Sequence, residues 1–419
     1  MKFILGAIKW LFLGLLGLVV VLAGWPWIAV LQDKLSEGSD VAYLERNGFS
    51  LDPLAEAPEF AFDDSFYDNR LFLFAEMHGY GAPQDFDFAL LRHLNERAGV
   101  RYYLAELPPS AAFAFNHYLE TGDDAQARQV FDDFAAQKAQ WGNKEFFAKL
   151  EKIRALNMAL PDDRKIWFIG VDYLTETDFA VTQGDLLAEQ FAMAGEAGSS
   201  SRRLAVMALQ QALLTQTIAA NAQGASRYGV ILANIETAMA SDLLAGEKLY
   251  GMWGLFHGME TTVNGSRPLA MRLAELPAFQ PGVVSLMALY AEGSLMMMPS
   301  AYLPEPARGP NGDDYVLLPA NYDQTYLYYL RGIHPLKKAT GDAPVGVFNL
   351  DGEGTPYAQG GKLVQAQGII TMMTETFDIE GSASEATDYA VLFQGSAPLT
   401  PWGGTAYDIA GALEPAQAD

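Results

Sequence analysis

The stretch LFLFAEMHG, residues 71–79, decides the fold. Five apolar and aromatic residues lead directly into Glu76, His78 and Gly79, a pattern typical of a buried parallel strand that ends at a site. A strand buried on both faces does not tolerate a carboxylate and an imidazole in its middle, so we expect both at its carboxyl end. In open α/β sheets ligands bind at that end, because the flanking helices leave the crevice there open.

The residues that follow complete a βαβ unit. The next loop ends at Asp85, a predicted N-cap, and the helix after it is predicted to stop at Gly99. The run VRYYLA, residues 100–105, is the next predicted strand, and it ends in Glu106. Because the two strands of a βαβ unit are parallel, Glu76 and Glu106 are predicted to lie at the same edge of the sheet.

Two later apolar runs end in the same way. KIWFIGV, residues 165–171, precedes Asp172, and KLYGMWGLF, residues 248–256, precedes His257. Further elements are predicted as strands at 282–290 and 389–393 and as a helix at 183–194. The pattern predicts an α/β fold with a mostly parallel central sheet and helices on both faces, whose rim gathers three carboxylates and two of the five histidines.

The N-terminus predicts a membrane segment. Residues 10–31 form an uncharged apolar run, long enough to cross a hydrocarbon core of about 30 Å as a helix. Lysines precede it, and Trp25 and Trp27 lie near its far end, as interfacial anchors do. We expect a single-pass protein with its main domain on the extracytoplasmic, periplasmic side. The alternative is a signal peptide cleaved near Ala23, which would make the protein secreted.

Changes in composition divide the chain. The predicted parts are an anchor or signal segment at 1–31, a linker at 32–69, an α/β domain at 70–402 and a C-terminal tail at 403–419. Within the domain, residues 292–388 become rich in proline, tyrosine and glycine, which indicates an atypical cap or loop insertion.

Composition excludes several classes of function. A formal net charge of -24 argues against a nucleic-acid partner, because phosphate binding requires a basic face. The absence of cysteine excludes disulfides, thiolate nucleophiles and cysteine-based metal centres. The chain also has no Gly-x-Ser-x-Gly motif, so a serine-hydrolase elbow is not supported.

Four segments together resemble a known family. AEMHG with Glu106 downstream, WFIGVD, MWGLFHG and the closing DYAVLFQGSAPLTP resemble the erythromycin esterase family and its wider superfamily. That superfamily includes pheromone-shutdown type membrane proteases and a haem-uptake-related lipoprotein. The resemblance covers residues 71–401, interrupted by the atypical segment at 292–388, and implies an erythromycin esterase-like fold. It also implies that Glu76, His78, Glu106 and His257 are catalytic, with His78 activating water as the general base.

The resemblance has weaker parts and departures. Asp172 and Arg227 are predicted to bind substrate, Arg227 because it resembles an arginine of the family's helix there. Ala75 stands where the family has glycine before the glutamate, and a single residue separates the glutamate from the histidine. Both features are closer to the membrane-protease and haem-uptake branches, so the sequence does not support a macrolide substrate.

The chemistry of this residue set leaves alternatives. A carboxylate-oriented histidine can activate water without a cofactor, and the same four side chains can hold a divalent metal whose bound water has a lowered pKa. The predicted function is hydrolysis of an ester, lactone or amide in a small-molecule or peptide substrate. The alternatives are an envelope protein that binds iron, haem or another ligand without turnover, and a degenerate enzyme that serves as an interaction module.

Overall fold

The computed structural model describes residues 27–174, 201–368, 378–409 and 411. Within these ranges the centre of the fold is a mixed β-sheet of eight strands, accompanied by two three-stranded sheets. The strands are β1 (Gly48–Leu51), β2 (Leu71–Glu76), β3 (Tyr102–Ala105), β4 (Trp167–Gly170), β5 (Leu249–Gly254), β6 (Val283–Tyr290), β7 (Met296–Pro299), β8 (Tyr315–Leu318), β9 (Asp323–Gln324), β10 (Tyr328–Leu330), β11 (Val345–Asn349), β12 (Ala366–Gln367), β13 (Tyr389–Phe393) and β14 (Ala406–Asp408).

Helices connect these strands and cover the central sheet. In the described part of the chain they are α1 (Trp27–Arg46), α2 (Asp64–Tyr67), α3 (Ala82–Ala98), α4 (Pro109–Thr121), α5 (Ala125–Ala136), α6 (Lys144–Ala159), α7 (Ser201–Ala222), α8 (Arg227–Met239), α9 (Leu269–Ala274), α10 (Ile333–Thr340) and α11 (Ala383–Ala386). The helix predicted at 183–194 lies outside the described residues.

The central sheet is mostly parallel, as predicted. In spatial order it runs β1-β11-β13-β6-β2-β5-β3-β4. The strands from β13 to β4 are parallel, and β11 and β1 add to one edge in antiparallel pairing. β2 lies between β5 and β6 and is buried along its whole length. Its carboxyl end therefore opens at the middle of the sheet edge, where the ends of β3 and β5 also lie.

A hydrophobic core covers each face of the sheet, and the side chains of β2 point alternately into one core and the other. Phe72 and Phe74 belong to a core that includes residues of α3, α4, α5 and α6. Leu71 and Leu73 belong to a second core with residues of α7, α8 and α9. A strand packed on both sides must be apolar throughout, which explains the run of five apolar residues before Glu76.

The segment at 292–388, predicted as a cap or loop insertion, also contributes to the central sheet. Its strand β11 pairs antiparallel with β13 inside the sheet. An antiparallel strand needs no helical crossover, so the βαβ pattern that identified the other strands does not reveal it. The rest of the segment holds β7, β8, β9, β10 and β12 of the two small sheets. β14 lies in the predicted C-terminal tail and pairs with β8.

The segment at 32–69, predicted as a linker, contains most of α1 and all of β1. α1 packs against α10 and is held by buried charged residues. Asp33 accepts hydrogen bonds from the hydroxyl of Tyr329 and the backbone N–H of Gly332, each at 2.8 Å. The Nζ of Lys362 donates to Asp40 at 2.5 Å. These long-range pairs, which the local sequence does not indicate, make α1 part of the domain.

Residues 10–26 of the predicted membrane span at 10–31 lie outside the described residues. Its last residues, 27–31, form the beginning of α1. None of the described helices is both long enough and apolar enough to cross a bilayer.

The helix after β2 begins earlier than predicted. α3 starts at Ala82 with Gly81 as its N-cap, because Pro83 is well suited to the first helical turn. Asp85, predicted as the N-cap, lies inside the helix and accepts a hydrogen bond from Lys152 at 2.6 Å. The helix ends as predicted at Gly99, which adopts the left-handed conformation with φ of 73°.

β3 and β5 pair through their backbones only at their beginning. The register pairs Tyr102 with Leu249 and Tyr103 with Tyr250. Beyond these pairs, side chains provide the hydrogen bonds between the two strands. The hydroxyl of Tyr103 accepts from the N–H of Met252 at 3.1 Å, and the indole N–H of Trp253 donates to the carbonyl of Leu104 at 2.8 Å. The carboxyl ends of the two strands are thus linked by side chains and leave room between them.

Gly251 lies where this change of pairing occurs. A Cβ at this position would lie 2.1 Å from the carbonyl oxygen of Leu104, a distance that the backbone cannot accommodate without moving. We expect Gly251→Ala to lower the free energy of unfolding by about 1–3 kcal/mol through overpacking. Denaturant unfolding measures this change.

The control is Gly38→Ala, the same change in α1, where a Cβ meets nothing within 4 Å. It should be neutral or stabilise by up to about 1 kcal/mol, because alanine favours helix. Equal effects of the two substitutions would contradict the close approach of β3 and β5 at Gly251.

Candidate active site

Glu76 and His78 lie at the end of β2, as the sequence predicts, and they form a hydrogen-bonded pair. The Glu76 side chain is 3% exposed, and its Oε1 accepts a short hydrogen bond from Nδ1 of His78. This bond fixes the imidazole and leaves Nε2 directed away from Glu76. Nε2 faces Gly254 at the end of β5, where a Cβ would lie 3.2 Å from it.

The turn after His78 holds the imidazole in place. Gly79 has φ of 113°, and a Cβ there would lie 2.5 Å from the carbonyl oxygen of Met297. Both constraints require glycine. The Nε2 of Gln140 donates to the carbonyls of His78 and Met297, at 2.9 and 2.6 Å. The backbone that carries the imidazole is therefore fixed from outside the turn.

Glu106 connects the end of β3 to two other elements. Its Oε2 accepts from the N–H of Gly254 at 2.6 Å. Its Oε1 accepts from Nη2 of Arg227 at 2.6 Å and lies 3.1 Å from Nε2 of His257. Burial disfavours its charged form, but the nearby His257, His78 and Arg227 outweigh burial and hold the pKa of Glu106 well below its usual range. Glu106 does not cap α4, whose N-cap residue is Pro108.

His257 lies in the 3₁₀ turn Leu255–Gly258 that follows β5. Its Nδ1 lies 3.0 Å from the hydroxyl of Tyr228, and its Nε2 faces Glu106. A hydroxyl that donates to Nδ1 leaves the ring proton on Nε2, where the carboxylate of Glu106 accepts it. The two partners thus select one tautomer and orient the ring.

Asp172 and Arg227 form a two-point pair beside Glu106. Nε and Nη2 of Arg227 donate to the two oxygens of Asp172 at 3.0 and 2.6 Å, and the N–H of Tyr173 donates to Oδ1 at 2.8 Å. Burial raises the pKa of Asp172 even though Arg227 opposes the shift. Among the described residues Nη1 of Arg227 has no hydrogen-bond partner. Asp172 therefore orients the guanidinium, and substrate binding by the pair stays a prediction.

A cavity of about 130 Å³ adjoins these residues. Glu76, His78, Glu106, Asp172 and Arg227 line its polar side. The remaining wall is mainly apolar and comes from the helices α4, α5 and α6 and the loops beside them: Leu107, Pro108, Ala111, Val130, Phe134, Trp141 and Phe146. The site thus combines a polar edge with an apolar chamber, as small-molecule sites commonly do.

The electrostatics of the site favour the charged form of His78. Burial alone would lower its pKa, but the Glu76 carboxylate outweighs burial and, with a contribution from Glu106, raises the pKa of His78 to about 9. The ring of Trp141 meets the imidazole edge-on with centroids 5.5 Å apart. An imidazole with a raised pKa is a stronger base once it has lost its proton.

The residues do not converge as metal ligands. In the described ranges no group of three histidine, aspartate or glutamate side chains is arranged to hold a metal ion. Glu76 is bonded to His78, and both oxygens of Glu106 accept from N–H donors. The arrangement therefore fits a hydrogen-bonded network, and the alternative in which Glu76, His78, Glu106 and His257 bind a divalent metal does not fit it.

Sequence reasoning missed residues that complete the site. Tyr228 orients His257, and Gln140 holds the turn after His78. Gly254 has no side chain, so the side chains of Glu106 and His78 can lie close to its backbone. None of the three ends a predicted strand. The position of Tyr228 beside Arg227 in the sequence was the one signal available for it.

No protein-family model and no curated protein matches the chain in sequence. Solved structures do match its fold. A Bacillus cereus protein matches with TM-score 0.53 and 15% identity, over 87% of this chain and 99% of that chain. A succinoglycan biosynthesis protein matches with TM-score 0.50 and 14% identity, over 87% and 98%.

An erythromycin esterase mutant in its open conformation is also among the similar structures, with TM-score 0.47 and 12% identity, over 80% of this chain and 92% of that chain. The solved structures that this chain resembles thus include an erythromycin esterase, the family that the motifs predict. At these identities the similarity extends to the fold alone.

The pairing of Glu76 with His78 has a measurable consequence. We expect Glu76→Gln to lower the pKa of His78 by about 1–3 units, because the opposite charge that offsets burial is lost. An NMR titration of the imidazole resonances measures this shift.

His93 provides the internal control, because burial lowers its pKa to about 4 and Glu76 does not contribute. Its titration should be the same in both proteins. An unchanged pKa of His78 in Glu76→Gln would show that the carboxylate is not the source of the shift.

Proposed function

We propose that the chain is a hydrolase that cleaves an ester, lactone or amide with water activated by His78. The observation that carries this proposal is the orientation of His78: Nδ1 is bonded to Glu76, Nε2 faces Gly254 at the end of β5, and the side chain lines the cavity together with Glu106. Histidines oriented in this way by a carboxylate are common general bases. The fold similarity is consistent with hydrolysis but does not by itself identify a reaction.

The proposed reaction begins with proton transfer from water to Nε2 of His78. The oxygen of that water forms a bond to the carbonyl carbon, and the carbonyl oxygen acquires negative charge. Glu76 stabilises the imidazolium that forms. The bond from carbon to the leaving oxygen or nitrogen then breaks, and His78 returns its proton to the leaving group. No other reactant is needed.

Arg227 is placed to stabilise the negative oxygen. Its Nε and Nη2 are occupied by Asp172 and Glu106, so the guanidinium is fixed before substrate binds. Nη1 is left to donate a hydrogen bond to the developing oxyanion. The two carboxylates beside Arg227 keep its pKa raised, so it stays charged throughout the reaction.

The cavity limits the substrate to one with an apolar group of modest size. A cavity of about 150 Å³ binds benzene, and the cavity here is about 130 Å³. An aromatic ring or short branched chain attached to the scissile carbonyl would bury its surface against Phe134 and Phe146.

The raised pKa of His78 sets the pH dependence. A general base must be neutral, and at pH 7 a pKa of about 9 leaves about one part in a hundred of His78 neutral. The neutral fraction grows about tenfold per pH unit until the pKa is reached. Hydrolysis through His78 should therefore rise with pH up to about 9.

Removal of the base tests the proposal. At pH 9, His78→Ala should reduce kcat/KM for nitrophenyl esters, lactones or amides by about 10²–10⁴-fold, the usual contribution of a general base. Hydrolysis by the wild-type chain should persist with a chelator, because the site residues bond to one another. Steady-state kinetics over a panel of such substrates measures both effects.

His334→Ala serves as the matched control, since its ring bonds to Glu37 on α1 and does not line the cavity. Undiminished turnover by His78→Ala would remove His78 from the mechanism. A folded chain that hydrolyses nothing in the panel would favour the alternative function, a ligand-binding envelope protein.

We further propose that the chain is held at a membrane by residues 10–31, with the domain on the extracytoplasmic side. The support is an exposed apolar patch where this segment meets the domain. The patch consists of Trp27, Ile28, Leu31, Leu35, Tyr326 and Leu327. The indole N–H of Trp27 donates to the hydroxyl of Tyr326 at 2.8 Å, which joins the two parts of the patch. Tryptophan and tyrosine are enriched at membrane interfaces.

A charge in the apolar run tests the anchor. The wild-type chain should remain in the membrane fraction after a high-salt wash, and Leu16→Arg with Val20→Arg should release it, because each arginine costs about 2.5–3.5 kcal/mol within a span. Fractionation of expressing cells measures the distribution, with Lys34→Arg as a control outside the run. A wild-type chain that is cut after Ala23 and recovered in soluble form would establish the signal-peptide alternative instead.

A further inference from the structure

Two buried polar side chains line the cavity and have no role in the proposed reaction. Gln84 is 6% exposed and lies in the first turn of α3, six residues after His78. Lys149 is 2% exposed and lies on α6. Both line the same cavity as Glu76, His78 and Glu106. The segment that begins with the proposed base His78 thus also places the polar side chain of Gln84 in the cavity wall.

The Gln84 amide is unsatisfied. Its Oε1 is fully buried and has no hydrogen-bond partner in the described part of the chain. Leaving a buried acceptor without a donor costs roughly 1–3 kcal/mol, so native proteins rarely do so without a reason. Gln84 lies in the wall of a cavity that reaches the proposed base. A molecule bound in this cavity would supply the donor that Oε1 of Gln84 lacks.

The Lys149 ammonium is held by a fixed network. It donates to Oδ2 of Asp87 at 2.5 Å and lies 4.5 Å from the ring centre of Phe146. Asp87 also accepts from the hydroxyls of Tyr103 at 2.9 Å and Tyr250 at 2.6 Å. Asp87 is the one hydrogen-bond partner of Lys149 among the described residues, which leaves N–H donors of the ammonium for a ligand.

The two groups are neighbours across α3. Gln84 and Asp87 are three residues apart on this helix, so they share a face, and Lys149 is bonded to Asp87. A residue with an unpaired acceptor and a residue with unused donors therefore both line the cavity. A hydroxyl group is complementary to both, because it donates one hydrogen bond and accepts another. A ketone lacks the proton for Gln84, and a carboxylate would be repelled by its Oε1.

We propose that Gln84 and Lys149 form a subsite that binds a hydroxyl group on the apolar part of the substrate. The hydroxyl donates to Oε1 of Gln84 and accepts from Nζ of Lys149, while the attached ring or chain packs against the apolar wall. The inference rests on the proposed hydrolase function, which it deepens by naming the substrate class: hydroxylated apolar esters, lactones or amides.

Paired substrates test the subsite in the full chain. The probes are the nitrophenyl esters of 3-phenylpropanoic acid and 3-(4-hydroxyphenyl)propanoic acid, which differ by one hydroxyl at the far end of a benzene-sized group. We expect the wild-type chain to prefer the hydroxylated ester by about 10- to 100-fold in kcat/KM, because a polar site left unpaired rejects the analogue. Gln84→Leu should reduce this preference to within about twofold of unity.

Gln137→Leu is the matched control. Gln137 also lines the cavity, but its Nε2 already donates to Asp133 at 3.1 Å. The preference should survive this substitution. Lys149 is not altered, because its removal would leave Asp87 as an unpaired buried charge. If the wild-type chain has equal kcat/KM for the two esters, the proposed subsite is wrong and the proposed hydrolase function is unaffected. This comparison does not depend on the folding of any variant.

Binding distinguishes failure of the subsite from failure of the proposed reaction. If neither ester is hydrolysed, the proposed function fails, and the subsite is tested by calorimetry with 3-(4-hydroxyphenyl)propanamide and 3-phenylpropanamide. The hydroxylated amide should bind with a Kd at least about tenfold lower, and Gln84→Leu should remove the difference. Equal Kd values, or no binding of either amide, would overturn the subsite.

Discussion

The site depends on the carboxylate of Glu106. It follows β3, yet its donors come from the end of β5, from α8 and from the turn that carries His257. A buried carboxylate is costly unless it is paired and hydrogen-bonded, and here three neighbouring groups supply that compensation. Because each donor belongs to a different element, the same interaction also fixes the relative positions of these elements. The orientation of Arg227 and of His257 follows from it.

The separation of β3 and β5 makes room for this arrangement. If the backbone ladder continued to their carboxyl ends, the space between them would be closed by main-chain hydrogen bonds. Side chains of Tyr103, Trp253 and Glu106 instead satisfy the N–H and carbonyl groups that the ladder leaves. β5 separates this space from β2, whose own end carries Glu76 and His78. A sheet packed on both faces thereby presents a polar site at its centre, and these backbone groups still have hydrogen-bond partners.

The sequence was sufficient to find the ends of the strands and thus most of the residues that line the candidate site. Glu76, His78, Glu106 and His257 interrupt or follow apolar runs, and parallel strands bring such positions to one edge. The sequence was not sufficient where a residue's role depends on a distant partner. Gln84, Asp87 and Lys149 lie in ordinary helical patterns, and their importance arises from contacts across more than 60 residues, such as that of Lys149 with Asp87. The sequence did not predict that β11 belongs to the central sheet, because a strand that pairs antiparallel is not part of a βαβ unit.

The most direct test of water activation at this site is a crystal structure of the chain with a phosphonate analogue of an aryl ester, whose tetrahedral phosphorus mimics the intermediate. We expect one phosphonate oxygen within hydrogen-bonding distance of Nε2 of His78 and another at Nη1 of Arg227, with the aryl group in the apolar cavity. A phosphonate bound elsewhere, or held in the cavity without contact to His78, would contradict the assignment of His78 as the base.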